Sequence, residues 1–421
     1  MKVNSKDITK LVVWLKEQGP VIYLESQMTE HPSSQKSYIA GLPESWIKIG
    51  ADRCSWAENV TGIAPDTDSW TMLRQYQNYA KNWIFGYAGY DLKNDIEELE
   101  SVNAALMDVP DLFFFAPSFL AEIDLDGNMR LIHGEYPDIP ENIEPEEPEV
   151  RLRHRISKEE YLRVIEEAQR DIFEGEYYEI NLSHPLVFDF TGESWVLYQR
   201  MKNVGPVPFG GFLSFDDVSI CCSSPERFLA KKGSRVWSQP IKGTASREHH
   251  EHGQIEQLKN SEKDRAENLM IVDLVRNDLS HFAQRGSVQV KDLFEIQSFE
   301  TVHQMVSTVE CQVGEETHPV DILKACFPMG SMTGAPKIAT MQAIERLENY
   351  KRGIYSGAMG YISPEGDFDF NVLIRSALIQ GQQLVYPVGG AITSDSEPEK
   401  EWDETLIKAR AITNSIKTHI S

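Results

Sequence analysis

Hydrophobic residues alternate with polar ones in short runs along most of this chain, a pattern typical of β-strands. Before residue 136 these runs are VIYLES, SYIAGL and NWIFGYAGYD. Later runs are YYEINLSHPLVFDF, FGGFLSF, SICCSS, RFLAKKG and RVWSQPI, followed by strand-like segments over 355–362, 369–379 and 383–392. Strands joined by short turns pair antiparallel, so the pattern predicts antiparallel sheets.

Helical periodicity occurs in fewer places. The segment ISKEEYLRVIEEAQRDIFEGE starts with Ser157 and Glu160 at the spacing of a capping box and then repeats apolar residues at helical intervals. We predict further helices over 261–276, 320–326, 336–348 and about 397–417. Because these helices do not alternate regularly with the strands, the predicted fold class is α+β, with the helices on the outer faces of the sheets.

The stretch 136–150, YPDIPENIEPEEPEV, contains acids and prolines but no periodic apolar residues. Such a composition is typical of a solvated linker. We therefore divide the chain into an N-terminal region, 1–135, and a C-terminal region, 151–421.

The composition limits the classes of partner. The chain has 421 residues, of which 41% are hydrophobic, so it can bury a substantial core. Its formal charge of −24 argues against nucleic acid or an anionic membrane as the main partner. A small anionic ligand stays compatible, since a local cluster of lysine and arginine can make a cleft positive. No apolar run of ~18 residues and no cleavage site occur, so we expect a soluble, cytoplasmic protein.

Cysteine and histidine give no clear metal signal. The five cysteines are Cys54, Cys221, Cys222, Cys311 and Cys326. They lack the spacing of a zinc site, which favours reduced, mostly structural thiols. The histidines of EHHEH, 248–252, lack the HExxH spacing, which favours a polar turn over a metal site.

Two of the predicted helices begin with acids three residues apart. Asp264 and Glu267 share one face of the predicted helix over 261–276, and Glu401 and Glu404 share one face of the predicted helix over about 397–417. Two such pairs brought together would supply oxygen ligands for Mg²⁺ beside an anionic substrate. Acids near helix N-termini also complement the helix dipole, and the spacing alone leaves both interpretations open.

The stretch SQPIKGT places Lys242 between an apolar Ile241 and the pair Gly243–Thr244. A lysine normally keeps its ammonium in water, whereas a glycine after an extended run often marks a close backbone approach. Lys242 is therefore either a surface lysine beside a turn or a side chain that points into a site. In SSPERF, Glu226 could protonate a leaving group if burial raises its pKa, or could pair with the adjacent arginine.

A glycine-rich turn, GSMTGAPK at 330–337, leads into a predicted helix. It offers Thr333, Lys337 and exposed N–H groups to an anion. The turn departs from the Walker phosphate loop, so a carboxylate is a better candidate than a nucleotide. A plain helix entry is the alternative.

Arg375 lies inside the apolar pattern VLIRSALI, where it needs an acidic partner. That partner is either a ligand carboxylate or a structural acid. Just beyond, Gly389, Gly390 and Ala391 are small residues at a strand end, where a ligand can approach the backbone.

Together these motifs occur in the order found in chorismate-utilising enzymes. SPERF, PIKGT, DRAENLMIVDLVRNDL, GSMTGAPK, YSGAMGYIS, FNVLIRSA and GGA…DSEPEKEWDET cover about 155–420, and VIYLES, SYIAGL and GYAGYDL extend the match more loosely to the N-terminal region. The chain thus resembles the family that includes the large components of anthranilate, aminodeoxychorismate, isochorismate and salicylate synthases. The resemblance implies an anthranilate synthase component I-like fold, with antiparallel sheets packed face to face beneath outer helices and the N-terminal region intertwined with the rest.

Within this family, Lys242 resembles the aminodeoxychorismate synthase component I branch, since anthranilate synthases usually carry alanine there. That branch aminates chorismate at C4 in 4-aminobenzoate and folate biosynthesis. The implied chemistry is covalent: a neutral Lys242 amine adds at C2 as the C4 hydroxyl leaves, and ammonia then adds at C4 and expels the lysine. Direct addition of ammonia at C2 would give the anthranilate precursor, so Lys242 would decide the regiochemistry.

The resemblance also implies roles for the acids. Glu226 would protonate the departing hydroxyl. Glu267 and Glu404 resemble direct Mg²⁺ ligands, and Asp264 and Glu401 would hold metal-bound waters. Mg²⁺ on the ring carboxylate would withdraw charge from the ring.

The implied substrate wall is polar. Arg375 and Tyr355 would bind the enolpyruvyl carboxylate. The other implied wall residues are Gly243, Thr244, Thr333, Lys337, Gly389, Gly390 and Ala391.

Some positions depart from the family pattern. In VHQMVS, Gln304 stands where many members have histidine, and His303 comes one residue earlier, on the opposite face of a strand. Glu179 stands at a position that is often glutamine. The motif LES at 24–26 resembles the tryptophan pocket of anthranilate synthase, but its usual partner motif is replaced by GPVPFG at 205–210. The candidate tryptophan pocket comprises Glu25, Ser26, Pro206 and Phe209.

The sequence context of the cysteines bears on whether this chain can release ammonia from glutamine. A glutaminase needs a nucleophilic cysteine at a tight strand-to-helix turn beside histidine and glutamate, and no cysteine of this chain has that context. We therefore expect ammonia from a separate glutamine amidotransferase subunit (component II) and 4-amino-4-deoxychorismate as the product. The alternatives are an anthranilate, isochorismate or salicylate synthase and, from another class, a non-catalytic paralogue that binds chorismate or tryptophan.

Overall fold

The structure, a computed structural model, describes residues 2–27, 36–50, 54–65, 67–246, 251–298 and 302–416. The strands are β1 (Val21–Glu25), β2 (Ser37–Ile49), β3 (Cys54–Trp56), β4 (Ile84–Ala88), β5 (Leu112–Ile123), β6 (Met129–His133), β7 (Glu149–Arg155), β8 (Glu179–Thr191), β9 (Phe209–Phe215), β10 (Val218–Ser224), β11 (Arg227–Lys232), β12 (Arg235–Gln239), β13 (Ile241–Ser246), β14 (Gln289–Ser298), β15 (Val302–Gln312), β16 (Gly334–Ala335), β17 (Ala358–Ile362), β18 (Phe368–Val372), β19 (Ser376–Gln380) and β20 (Gln383–Ile392). The helices are α1 (Ser5–Gln18), α2 (Ser69–Ala80), α3 (Lys158–Glu174), α4 (Ser194–Val204), α5 (Glu251–Asn260), α6 (Glu262–Ser280), α7 (Pro319–Cys326), α8 (Lys337–Leu347), α9 (Pro398–Lys408) and α10 (Arg410–Ser415), with 3₁₀ turns at Tyr90–Asp95 and Gly330–Met332.

The strands form one continuous antiparallel network with two halves. The first half runs β7–β8–β20–β19–β10–β9–β1–β2. The second runs β5–β4–β17–β18–β11–β12–β15–β14, with β13 following β12 along β15. The long strands β2 and β5 join the halves and have a register shift between Pro43 and Ser45, where a bulge bends the strands.

The two halves pack face to face. The rings of Phe215 in β9 and Phe113 in β5 are stacked with centroids 4.2 Å apart, and Tyr87 in β4 lies 6.0 Å from the same Phe215 ring. Strands β9 and β5 are three pairings apart in the network, so a ring contact this short requires the sheet to fold over itself. The main hydrophobic core lies between these faces.

Helices cover the outer faces. A second core joins α1, α4 and α10 to strands of the first half, and a third packs α3, α8 and α9 near β8. Helices α2, α6 and α7 add residues to the main core from the other side. The predicted α+β arrangement with antiparallel sheets and outer helices is therefore confirmed.

Most predicted elements occur close to their predicted bounds. Helix α3 begins directly after Ser157, whose Oγ accepts a hydrogen bond from the Glu160 N–H at 3.2 Å. The predicted helix over 397–417 is divided into α9 and α10. The predicted strand over 369–379 is wrong as a single element, because Arg375 has a left-handed φ of 50° between β18 and β19.

The N-terminal and C-terminal regions share their sheets. Strand β1 pairs with β9, and β4 pairs with β17, so both halves of the network contain strands from both regions. The acidic stretch 136–150 has no helix or strand before Glu149, where β7 begins.

The structure also bears on two points from the sequence, the membrane-spanning segments and the histidine stretch 248–252. No helix in the described ranges is both long and apolar enough to cross a bilayer. Of the 248–252 histidine stretch, 248–250 lie outside the described residues, and α5 begins at Glu251.

Candidate active site

A cavity of about 940 Å³ opens between the start of β13, helices α6 and α9, and the end of β20. It brings together residues that are far apart in the chain. The predicted site residues on its wall are Glu226, Lys242, Gly243, Asp264, Glu267, Tyr355, Arg375, Gly389, Ala391, Glu401 and Glu404.

Strand β13 directs Lys242 into this cavity. The following residue, Gly243, has a left-handed φ of 83°, and a Cβ on it would lie 2.9 Å from the Asp264 Cγ of α6. Only glycine permits this conformation and this contact at low cost. The glycine of SQPIKGT therefore lets helix α6 approach the strand beside Lys242.

Lys242 is not a surface lysine. Its side chain is 11% exposed, and its Nζ donates to Glu179 Oε1 at 2.5 Å, where the Glu179 side chain is only 2% exposed. Burial works to lower the pKa of Lys242, but the Glu179, Glu267 and Glu226 carboxylates outweigh burial and raise it. In the free protein Lys242 is therefore an ammonium.

Glu226 lies at the turn between β10 and β11. Its carboxyl is buried and accepts a hydrogen bond from Ser331 Oγ at 2.8 Å. Burial raises its pKa to about 7, against smaller opposing effects of Ser331, Lys242 and Arg375. The adjacent Arg227 does not pair with it, since its Nε and Nη2 donate to Asp369 at 2.9 and 2.8 Å. Glu226 can thus hold a proton near neutral pH and give it up.

The two predicted acid pairs face each other across the cavity. Lys263 Nζ lies 3.8 Å from Glu267 Oε1 and 3.7 Å from Glu401 Oε1, and Lys408 Nζ lies 2.7 Å from Glu404 Oε1. Burial raises the pKa of Glu267 to about 7 and also raises that of Glu401. Burial therefore makes the charged carboxylates of Glu267 and Glu401 costly. A cation between α6 and α9 lowers this cost, and the Lys263 ammonium lies in such a position between the two carboxylates.

Oxygen donors of this kind suit Mg²⁺. In the described ranges, however, no three metal-binding side chains converge in the arrangement that a bound ion requires. The donor chemistry therefore fits the ion, whereas an ion would have to draw the acids closer and displace the lysines from them.

Arg375 and Tyr355 lie on the opposite part of the wall. No acid in the described part of the chain forms an ion pair with Arg375, and burial lowers its pKa against the opposing effects of Tyr386, Glu226 and Glu404. Tyr355 is 3% exposed, and burial raises its pKa to about 12, so it stays a neutral hydroxyl. The guanidinium is therefore available to a ligand carboxylate.

Three of the predicted wall residues are not on the cavity wall. The Thr333 hydroxyl donates to the Met329 and Gly330 carbonyls, and Lys337 Nζ pairs with Asp278 at 2.7 Å. Gly390 is not on the wall itself, but a Cβ on it would approach Glu401 Oε2 at 3.5 Å and Glu404 Oε1 at 3.8 Å, so this glycine lies directly against the acids. The side chain of Thr244 lies outside the described residues.

The GSMTGAPK turn forms backbone contacts with strand β8. Gly334 and Ala335 form β16, which pairs with Ile180 and Glu179 of β8. Within the turn, the Met332 and Thr333 N–H groups donate to the Met329 and Gly330 carbonyls, so these two groups are already used by the backbone.

Several wall residues were missed from the sequence. They are Asn181, Lys263, Ser331, Tyr386 and Lys408. Lys263 and Lys408 are each four residues from a predicted metal acid, Glu267 and Glu404, and this helical spacing was the available signal. The offset in VHQMVS does exchange the faces of β15: Gln304 lines the cavity, while His303 Nδ1 lies 2.8 Å from Ser298 Oγ.

A second cavity, of about 330 Å³, contains part of the candidate tryptophan pocket. Glu25, Ser26 and Phe209 line it, whereas Pro206 does not. Glu25 accepts a hydrogen bond from the Tyr198 hydroxyl at 2.9 Å and forms an ion pair with Lys202. The other aromatic residues on its wall are Tyr38, Trp83, Trp237, Tyr361 and Phe368.

Comparisons with known proteins agree on one family. The family described as chorismate binding enzyme matches residues 20–414. Aminodeoxychorismate synthase of Streptomyces griseus is 44% identical over 273 residues, which cover 64% of this chain and 38% of that protein. Aminodeoxychorismate synthase component 1 of Klebsiella aerogenes is 29% identical over 439 residues, which cover 96% of this chain and 95% of that protein.

A solved structure extends the likeness to three dimensions. Anthranilate synthase component I from Streptococcus pneumoniae TIGR4 has a TM-score of 0.78 at 26% identity, covering 90% of this chain and 92% of that one. The aligned part of this chain spans 38%, 30% and 29% of the length of three curated aminodeoxychorismate synthases.

Proposed function

This chain belongs to the chorismate binding enzymes, and we propose that it aminates chorismate at C4 to give 4-amino-4-deoxychorismate. The observation that carries the proposal is a nearly buried lysine, Lys242, on the wall of the same cavity as Glu226, whose carboxyl holds a proton near neutral pH. The names of relatives that align over 96% and 62% of this chain support it.

Arg375 is the proposed anchor for the enolpyruvyl carboxylate of chorismate. It faces the cavity without an acidic partner in the described residues, and the neutral Tyr355 hydroxyl can add a hydrogen bond. A guanidinium binds a carboxylate through two parallel N–H donors, which fixes the orientation of the ring.

Lys242 is the proposed nucleophile and Glu226 the proposed acid of the first chemical step. The Lys242 amine forms a bond to C2, the ring double bonds shift, and the C4–O bond breaks as Glu226 gives its proton to the departing hydroxyl. Ammonia then bonds to C4, and the C2–N bond breaks and releases the lysine. The net change replaces hydroxyl by amine at C4 and releases water.

Mg²⁺ is the proposed cofactor. Glu267 and Glu404 would hold it directly, and Asp264 and Glu401 would bind its waters. When bound, it supplies positive charge that withdraws electron density from the ring through the ring carboxylate.

We propose that the ammonia comes from a separate glutamine amidotransferase subunit. The term component 1 in the names of relatives implies a second component in those enzymes. With such a partner the product would enter 4-aminobenzoate and folate synthesis in the cytoplasm.

Anthranilate synthesis is the alternative that a specific observation favours, because anthranilate synthase component I from Streptococcus pneumoniae TIGR4 shares this fold at 26% identity. It requires nitrogen at C2, the carbon to which Lys242 is proposed to bond. The two activities therefore predict different products from the same substrates.

The product spectrum of wild type beside Lys242→Ala tests the proposal. Chorismate, Mg²⁺ and ammonium are supplied, and a lyase that removes pyruvate converts 4-amino-4-deoxychorismate to 4-aminobenzoate. We expect wild type to give 4-aminobenzoate only with the lyase, and Lys242→Ala to lose most of it and divert some turnover to anthranilate. Lys16→Ala, which removes another partly buried lysine that pairs with a glutamate, should behave as wild type. Anthranilate from wild type without the lyase would reject the proposal.

For the second cavity we propose a bound tryptophan. Its aromatic walls suit an indole ring, and the Glu25 carboxylate on its wall can pair with the amino group of the ligand. Calorimetric titration with L-tryptophan tests this, and no saturable heat, together with no tryptophan retained in the purified protein, would reject it.

A further inference from the structure

Glu179 is a buried carboxylate that the proposed function does not yet use. It opens β8, its side chain is 2% exposed, and its Oε1 accepts from Lys242 Nζ at 2.5 Å. Its second oxygen, Oε2, is buried without a hydrogen-bond partner in the described structure. A buried carboxylate that leaves one oxygen unsatisfied costs stability, so a functional reason is expected.

The backbone holds Glu179 firmly in this place. Ala335 pairs with it in β16, and the neighbouring Tyr178 N–H donates to the Ala335 carbonyl at 2.8 Å. Gly334 has a φ of 140°, and a Cβ there would lie only 2.0 Å from the Glu179 carbonyl oxygen. The glycine of GSMTGAPK thus allows a strand contact that fixes Glu179 opposite Lys242.

The proposed reaction requires a base at this point. Lys242 is an ammonium in the free protein, and an ammonium has no lone pair with which to attack C2. Among the described residues its ion pair is with Glu179. The other charged groups that interact with it are Glu267, Glu404 and Glu226. Glu267 and Glu404 are the proposed metal ligands, and Glu226 must keep its own proton for the leaving hydroxyl.

We propose that Glu179 is the proton acceptor that converts the Lys242 ammonium into the attacking amine. This inference rests on the proposed function and adds a catalytic residue to it, since Glu179 touches the reacting nitrogen.

The proton that Lys242 loses and later recovers stays within the Lys242–Glu179 pair. One proton moves from Nζ to a Glu179 oxygen, and the ion pair becomes an amine beside a carboxylic acid with no change in net charge. The amine then bonds to C2 and becomes a secondary ammonium as water leaves C4. When ammonia bonds to C4, the C2–N bond breaks, the lysine departs as a neutral amine, and it recovers its proton from Glu179.

Glu179→Gln tests this role, because the amide keeps a hydrogen-bond acceptor for Lys242 but cannot take its proton at neutral pH. General base catalysis typically contributes about 10²–10⁴-fold, so we expect kcat at pH 7 with saturating ammonium to fall by about that factor. The KM for chorismate should stay within about threefold, because Glu179 does not bind the substrate carboxylates.

The pH dependence separates proton transfer from simple positioning. In wild type the proton moves within the pair, whereas in Glu179→Gln it must leave to solvent, so the ratio of variant to wild-type rate should rise with pH. Glu179→Asp, which restores a carboxylate, should recover part of the rate. Glu193→Gln breaks a glutamate–lysine pair of the same 2.5 Å length elsewhere and should leave the rate unchanged.

A Glu179→Gln enzyme with the wild-type rate at pH 7 would overturn the inference, because burial alone would then remove the lysine proton. If Glu179→Gln does not give a folded protein by circular dichroism, Glu179→Asp decides. Partial activity with the wild-type pH profile supports the acceptor role, and a loss of about 10²-fold or more at every pH overturns it.

Competitive acetylation of Lys242 with acetic anhydride gives a readout that needs no turnover. If the pair is present in solution, Lys242 should titrate at lower pH in Glu179→Gln than in wild type. The same titration in both proteins overturns the inference whatever the reaction is. A wild type that makes no 4-amino-4-deoxychorismate would instead reject the proposed function while the acetylation result still stands.

Discussion

Glu226 shows how burial prepares a single carboxyl group for acid chemistry. The hydrogen bond from Ser331 and the nearby cations favour the charged form, yet burial outweighs them and raises the pKa to about 7. A carboxyl with such a pKa is protonated in a large fraction of molecules at neutral pH. The same burial means that the ionised carboxylate of Glu226 lowers the stability of the folded protein.

This cost predicts a stability gain for Glu226→Gln. Because the folded pKa is raised from its ordinary value of 4.5 to about 7, the stability present below pH 4.5 is lost as pH rises through about 7. The difference corresponds to about 3 kcal/mol. Glu226→Gln cannot ionise, so we expect it to exceed wild type by up to about 3 kcal/mol at pH 8 and by little at pH 4, while amination is lost.

Urea unfolding at the two pH values measures this difference. Glu193→Gln, at a carboxylate paired with Lys16, serves as the control for the chemical change itself. A gain of the same size at pH 4 and pH 8 would contradict the raised pKa of Glu226.

The sequence predicted the proposed catalytic and metal-binding residues better than the residues that contact them. Lys242, Glu226 and the four acids were found because their motifs occur together in one order, and the structure brings all six to one cavity. The pairing of Glu179 with Lys242 could not be predicted, because the two are in different strands that do not pair with each other. The pairing of Lys337 with Asp278 could not be predicted either, because the two residues lie on different helices.

At the scale of elements, the position of β13 against α6 decides where Lys242 points. Their contact passes through Gly243, whose missing side chain leaves room for Asp264 and Leu258. Gly243→Ala should therefore cost stability twice, through a left-handed φ that costs about 1–2 kcal/mol and through contacts at 2.9 Å. We expect a destabilisation of about 2–4 kcal/mol and a loss of amination.

Thermal unfolding and ammonium-dependent turnover measure the two effects. Gly253→Ala is the matched control, because this helical glycine in α5 has nothing within 4 Å of an added Cβ, and the change should stabilise slightly. Equal melting temperatures for Gly243→Ala and wild type would show that α6 can move away without cost.

Local patterns predicted most elements of this fold but not their pairing. Alternation gave β9, β10 and β20 almost residue for residue, and Ser157 gave the start of α3. The order of strands in the network depends on contacts between distant segments, such as β1 with β9, which no local pattern encodes. The break at Arg375 was missed for the same reason, since β18 and β19 change partners there, from β11 and β17 to β10 and β20.

At the scale of the whole molecule, the two regions divided by the acidic stretch do not form separate cores. Strands β9 and β17 of the C-terminal region each pair with an N-terminal strand, and the main core takes residues from both regions. A fragment over 151–421 would expose two sheet edges and one face of that core. We expect it to aggregate or to lack a cooperative unfolding transition, whereas the full chain unfolds as one unit.

Expression of both proteins, followed by differential scanning calorimetry, checks this expectation. A fragment that melts cooperatively would show that the N-terminal strands are dispensable for the core.

The last prediction concerns how the molecule obtains nitrogen. Cleavage of glutamine by a cysteine requires a thiolate, and burial raises the pKa of each thiol of this chain: Cys54, Cys221, Cys222, Cys311 and Cys326. Cys54 is exposed but lies near Asp95, which raises its pKa further, and the other four are buried. We therefore expect the isolated chain to form product with ammonium but not with glutamine, and to gain glutamine-dependent activity when an amidotransferase subunit is added. Chromatographic assay of glutamate and aminated product measures both, and glutamate released by the chain alone would mean that one of these thiols is activated in a way its surroundings do not explain.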